Sequence, residues 1–273
     1  MSGEPPGPTG PIQAALVARF AELFGAEEAP GLDRVAAVIA GLDPAAPAEE
    51  DMVAALDRLA ADVPEGEDRT AVLMRHLFGT VGLAGATGAY YDPGNSYLHR
   101  VLERRRGIPI SLAVVAIEVG RRVGLSLSGV GMPGHFLVGD GPRPQRWFDC
   151  FAGGRPLTVP DCRQLFSLLH QGAALDESWL RPVGTVEIAS RMLQNLRLIH
   201  LRSGDTGRLI PVLALRAELP VSTLADQVEL ATVLARTGRY EAAADQCERL
   251  ARVDPAQAAA HLRAAYLHRA HRN

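Results

Sequence analysis

Residues 107–124 read GIPISLAVVAIEVGRRVG, and the run 110–123 inside them is apolar almost throughout. That length exceeds an ordinary strand, and a helix that is hydrophobic on every side belongs inside a domain, so the stretch predicts a buried helix. Pro109 suits its first position, where a missing N–H costs nothing, and Gly124 stops it. Upstream, the turn-formers Asp92, Pro93, Gly94 and Asn95 precede a short helix over 97–105. Downstream, 126–131 and 136–138 read as strands on either side of the turn Met132-Pro133-Gly134-His135. A polar Gly/Pro loop at 139–144 follows, then another strand over 147–151. One buried helix followed by an antiparallel meander is an α+β arrangement, here assigned to residues 90–180.

The flanks are helical. Residues 1–11, MSGEPPGPTGP, have no apolar face and predict a disordered tail. Residues 12–89 contain four amphipathic segments punctuated by Pro and Gly, which predicts a helical N-terminal lobe. In residues 185–273, Leu201-Arg202-Ser203-Gly204-Asp205 and Ala235-Arg236-Thr237-Gly238-Arg239 superpose at an offset of 34 residues, the period of tetratricopeptide repeats. Two such units bury too little alone, so they are expected to stack on the core or on a protein or peptide partner.

With 273 residues, 47% hydrophobic content and a net charge of -3, the chain can bury a substantial core and lacks the basic excess of a nucleic-acid surface. No run reaches the roughly 18 apolar residues of a membrane span, and the first twenty residues do not read as a secretory leader. A cytoplasmic location is the expectation. Cys150, Cys162 and Cys247 are widely spaced, without a zinc or disulfide pattern, and are expected to be reduced. No phosphate loop, dinucleotide fingerprint or paired metal-ligand motif is present, so neither metal nor cofactor is expected. His261, His268 and His271, interleaved with arginines, read as a solvated basic face. Composition says nothing about oligomeric state.

Three motifs in order, Tyr91-Asp92-Pro93-Gly94-Asn95-Ser96-Tyr97-Leu98, then the segment from Val101 to Leu112, then Gly129 to Val138, resemble the bacterial SirB-type family, as do Phe148-Asp149-Cys150-Phe151 and the repeats. The resemblance covers about residues 50–255. It implies a transglutaminase-like, papain-type core followed by tetratricopeptide-like α-hairpins. In the wider superfamily a cysteine at the start of a buried helix is the nucleophile. The helix N-terminus lowers the thiol pKa, a histidine takes or shares the proton, and an aspartate fixes the imidazole tautomer.

His135 and Asp149 match the histidine and aspartate, and their fourteen-residue separation suits neighbouring antiparallel strands. The nucleophile position falls on Pro109, which has no nucleophilic atom. A two-residue shift puts Ser111 there; the same hydroxyl also suits a backbone-bonding role at the helix start. His135 reads either as the close of a Pro-Gly turn or as a pocket histidine, and Asp149 either as a strand-end acid or as its partner. Asn95 and Tyr97 suit turn formation and core packing, or together with Pro109 line a binding cleft. Cys150, adjacent to Asp149, should point away from it. Two functions compete: a binding or regulatory protein without the thiol, acting through its cleft and repeats, and an acyl-transfer or amide-hydrolysing enzyme using Ser111, His135 and Asp149.

Overall fold

The computed structural model describes residues 11–26 and 28–271. The tail assigned to 1–11 lies outside them except for Pro11, which opens helix α1 (Pro11–Gly25). Two compact units are present. One comprises Pro30–Met192, and the other comprises α1 together with the helices from residue 193 onward.

The first unit begins with α2 (Leu32–Ala40), α3 (Glu49–Ala61) and α4 (Arg69–Arg75). The last of the four amphipathic segments, residues 70–82, is not one helix but α4 and a π-helical turn, His76–Thr80. Asp68 caps α4 by accepting from the Ala71 N–H, and the Arg146 guanidinium beside it holds its carboxyl down at about 2. Strand β1 (Ala84–Gly85), a 3-10 turn (Pro93–Ser96), α5 (Leu98–Arg104) and β2 (Arg106–Gly107) follow, with β1 and β2 paired in parallel. These lead into α6 (Pro109–Arg122).

The sequence of α6 is explained by its neighbours: α2, α3, α4 and α5 pack around it, and it also packs on the sheet. Helix on one side and sheet on the other leave almost no face for water, so eleven of its residues are buried. The one buried acid, Glu118, meets Arg121 and Arg122, which also bind Asp33 of α2.

The sheet is β3 (Leu127–Val130), β4 (Leu137–Asp140), β5 (Trp147–Asp149), β6 (Arg155–Leu157) and β7 (Pro182–Val183), in spatial order β6-β5-β4-β3-β7. All its pairs are antiparallel, as the meander predicts. Part of the predicted 139–144 loop is strand, because Gly139 and Asp140 pair with Ser128 and Leu127. The predicted strand 147–151 ends at Asp149, where the chain turns. Strands β6 and β7 and helix α7 (Val159–Leu169) were not foreseen. On one sheet face Val130, Leu137, Trp147 and Leu157 meet Cys162 and Phe166 of α7 in a buried cluster.

Five helices follow: α8 (Thr185–Ser203), α9 (Thr206–Ala217), α10 (Leu224–Arg236), α11 (Tyr240–Val253) and α12 (Ala258–Ala270). In the second unit α9, α10 and α11 share a core of Leu209, Ile210, Leu213, Leu230, Leu234 and Ala243, and α1 packs on α9. The α8–α9 and α10–α11 turns pivot at Gly204 and Gly238, the glycines related by the 34-residue offset, both with positive φ. The basic face of the last helix lies at the surface and carries partners of its own. His261 lies 3.2 Å from Asp254, His268 and His271 stack on Tyr240, and Arg269 pairs with Glu241, Asp245 and Glu248.

Candidate functional site

His135 closes a turn that its own sequence dictates. Pro133 sets φ at the second position and Gly134, at φ +75°, takes the left-handed third, so the His135 N–H reaches the Met132 carbonyl at 3.0 Å. A Cβ at residue 134 would stand 2.9 Å from the His170 ring, so glycine is required there twice over.

The register of β4 against β5 pairs Val138 with Phe148. One step further, Asp149 faces Leu137, which makes His135 its diagonal neighbour on the same side of the sheet. The imidazole spans that diagonal: His135 Nε2 lies 2.9 Å from Asp149 Oδ1. The same oxygen accepts the N–H groups of Phe151 and Ala152 at 3.0 and 3.1 Å. A carboxylate oxygen only accepts, so the ring nitrogen is the donor; in the neutral imidazole this is the Nε2–H tautomer, with the lone pair on Nδ1. No hydrogen bond reaches Nδ1 among the described residues. Both side chains are buried, at 9% and 5% exposure.

Phe151 shields the pair, edge-on to the His135 ring at 6.3 Å between centroids, and Tyr90 stands edge-on to Phe151 at 6.0 Å. Burial pushes the Tyr90 phenol above its ordinary range, so it stays protonated. Gly85 of β1 lies so close that a Cβ there would run into both the ring and the carbonyl of Phe151.

Ser111, Asn95 and Pro109 form a second cluster. Pro109 is the first residue of α6. The Ser111 hydroxyl donates to the Asn95 carbonyl at 2.6 Å and accepts the Ile108 N–H at 3.0 Å, which satisfies one of the orphan donors at the helix start. It makes no hydrogen bond to His135, so the geometry is that of the backbone-bonding role. Asn95 in turn donates its Nδ2 to the Ala89 carbonyl at 2.6 Å. Beside it a cavity of about 300 Å³ opens, bounded by Gly85–Ala89, Asp92 and Arg104. Tyr97 is buried and stacks on His99 at 6.2 Å.

All three cysteines are buried. Burial raises each thiol pKa, that of Cys162 to about 12 and that of Cys150 well above its ordinary value, the reverse of an activated nucleophile. None hydrogen-bonds His135. Among the described residues no group of three or more His, Cys, Asp or Glu side chains is arranged to hold a metal ion, and no helix is long and apolar enough to cross a membrane.

Sequence reasoning missed Phe151, Tyr90, and the two residues that grip the His135 turn, His170 and Arg191. Phe151 stood in the motif beside Asp149 without a role, and Tyr90 carried no signal of its own; the grip depends on long-range contacts that carry no local pattern.

Comparison with known proteins places the chain in a family. A family model described as the transglutaminase-like superfamily matches residues 47–194. A UPF0162 protein of Xylella fastidiosa is 43% identical over 140 residues, 48% of this chain and 49% of that protein. A UPF0162 protein of Pseudomonas aeruginosa is 40% identical over 116 residues, 42% of each. F-box only protein 21 of Homo sapiens is 31% identical over 176 residues, 59% of this chain and 26% of that one. The chain thus spans about half the length, or less, of the curated relatives it matches. With the family match covering more than half of its residues, the chain belongs to the transglutaminase-like superfamily.

Proposed function

We propose that the protein is a transglutaminase-like binding or regulatory protein without the thiol, which acts through its cleft and the surface of its helical hairpins on a protein or peptide partner. The observation that carries this reading is at the start of α6. There Pro109, on which the resemblance puts the superfamily's cysteine, is the first residue of the helix, and the hydroxyl two residues on, Ser111, spends its proton on the Asn95 carbonyl. The three buried, protonated thiols support the same reading.

The hairpins are read as tetratricopeptide-like. Support comes from the equivalent turns at Gly204 and Gly238 and from the Arg197–Glu229 ion pair, which joins the first helices of successive hairpins at 2.7 Å. Those helices also expose Leu198 and Leu201 on α8 and Leu224 and Val228 on α10, apolar side chains suited to a peptide.

A second reading is favoured by one observation, the open Nδ1 of an imidazole already oriented by a carboxylate. In it His135 acts as a general base toward a bound substrate or water. An acyl-directed, serine- and cysteine-reactive probe, read by intact mass on wild type and Ser111→Ala, tests the main proposal. No adduct is expected on either. Specific labelling of Ser111 in the wild type would overturn it in favour of Ser111/His135/Asp149 acyl transfer.

A further inference from the structure

We infer that Arg191 is the positioning residue for the His135 imidazole. This rests on the second reading above, in which the open Nδ1 of His135 is the working atom.

The turn Met132-Pro133-Gly134-His135 has few means of holding itself rigid, having one internal hydrogen bond and a glycine at its third position. Its outer carbonyls are gripped from α8. Arg191 donates from Nη1 and Nη2 to the Met132 carbonyl at 3.3 and 3.2 Å, and from Nη2 to the His135 carbonyl at 2.9 Å. Between them, the Pro133 carbonyl accepts from His170 Nε2 at 3.0 Å, and the His170 ring stacks on Phe166 at 4.2 Å. Three of the four carbonyls of the turn are therefore bound to side chains of α8 or of the residue that ends α7.

Arg191 accepts an unfavourable setting to do this. It is half-buried, burial pulls its pKa below the usual guanidinium range, and it forms no ion pair among the described residues. Its guanidinium lies over the Phe136 ring at 5.3 Å and spends its hydrogen bonds on neutral carbonyls. A planar fork with several fixed donors can bridge two carbonyls at once; a lysine ammonium at the end of a flexible stem cannot hold both in one geometry. The consequence falls on the ring: with both ends of the turn fixed, Nε2–H stays on Asp149 and Nδ1 keeps one direction.

The test is NMR of the full chain with ¹⁵N-labelled histidine. Two-bond correlations report tautomer and titration for each of the eight imidazoles, and the His135 signal is assigned by its loss in His135→Gln. Wild type should show His135 as a single Nε2–H tautomer. Arg191→Gln and Arg191→Lys should both give a mixture of tautomers and a displaced titration midpoint for His135, with the His76 and His99 signals unmoved. Arg197→Gln, on the same helix but bonded to Glu229, should match wild type. Should Arg191→Gln fail to fold, Arg191→Lys decides, since it keeps the charge and the stem. A wild-type His135 tautomer and titration in the folded Arg191 variants would overturn the assignment. Labelling of Ser111 by the probe above would overturn the functional reading alone and leave this role of Arg191 standing.

Discussion

The hydroxyl of Ser111 and the carbonyl of Asn95 are sixteen residues apart in the chain and 2.6 Å apart in space. Through this contact the 3-10 turn at Pro93–Ser96 is fastened to the start of α6, and both groups are buried. Ser111→Ala removes a donor to the Asn95 carbonyl and an acceptor of the Ile108 N–H, and leaves these two buried groups only their own longer contact of 3.3 Å. We expect a loss of about 1–3 kcal/mol in denaturant unfolding. A nucleophile removed from an active site would instead leave stability unchanged or raised, so the same measurement bears on both readings of Ser111.

Pro109→Cys places a thiol where the superfamily's nucleophile is expected. At the first position of a helix, and facing the His135 imidazole as the assignment requires, such a thiol should titrate below the roughly 8.5 of a free cysteine, followed by its ultraviolet thiolate absorbance against the cysteine background of wild type. The displacement should shrink in Pro109→Cys with His135→Ala. A new thiol that titrates at its ordinary value in both backgrounds would show that residue 109 does not face His135, and the assignment of the nucleophile position would have to be abandoned.

What the sequence made legible follows from range. The buried helix and the meander were readable because each is a run of consecutive residues with one texture; His135 and Asp149 stood out through the family resemblance, with a separation that suits a turn and a short loop between strands. Helix α7 escaped notice although Thr158 and Asp161 carry its capping signal and Val159, Cys162, Leu165 and Phe166 mark one apolar face; the exposed Leu168 and Leu169 beside them blur that face in the sequence. Strands β6 and β7, of three and two residues, are too short for any alternation to register. The donor of Arg191 and the carbonyl of His135 are 56 residues apart, and carbonyls are the same at every position, so no pattern of side chains could announce that bond.

Arg122 joins three helices, bonding Asp33 of α2 at 2.6 Å, Asp57 of α3 at 2.5 Å and Glu118 of its own helix at 2.8 Å. Burial works against the charges of Asp33 and Arg122, but their hydrogen bonds outweigh it. The Asp33 carboxyl ends below its usual range and the Arg122 guanidinium above its own. Arg122→Ala leaves Asp33 and Glu118 buried with only Arg121 to answer them, and should cost about 3–5 kcal/mol. Arg121, more than half exposed, should cost about 1 kcal/mol or less on the same substitution. Equal losses in the two variants, measured by denaturant unfolding, would contradict the central place given to Arg122.

His99 and His200 give the stability a dependence on pH near neutrality. For both, burial is the largest influence and lowers the imidazole pKa; hydrogen bonding to Asp43 opposes it at His99, and the charge of Asp205 opposes it at His200. His99 Nδ1 and His200 Nε2 are buried without a partner, so neither ring has a ready acceptor for a second proton. A folded-state pKa below the unfolded one means that the unfolded chain binds more protons in the interval between them. The contribution is therefore complete above the unfolded value of about 6.5 and declines as pH falls toward the folded value. Thermal midpoints should drop between about pH 7.5 and 5. In His200→Leu, which cannot be protonated, the drop should be shallower, and the variant should gain on wild type as the medium is acidified. A slope unchanged by that substitution would mean that His200 takes up its proton as readily in the folded chain as in the unfolded one.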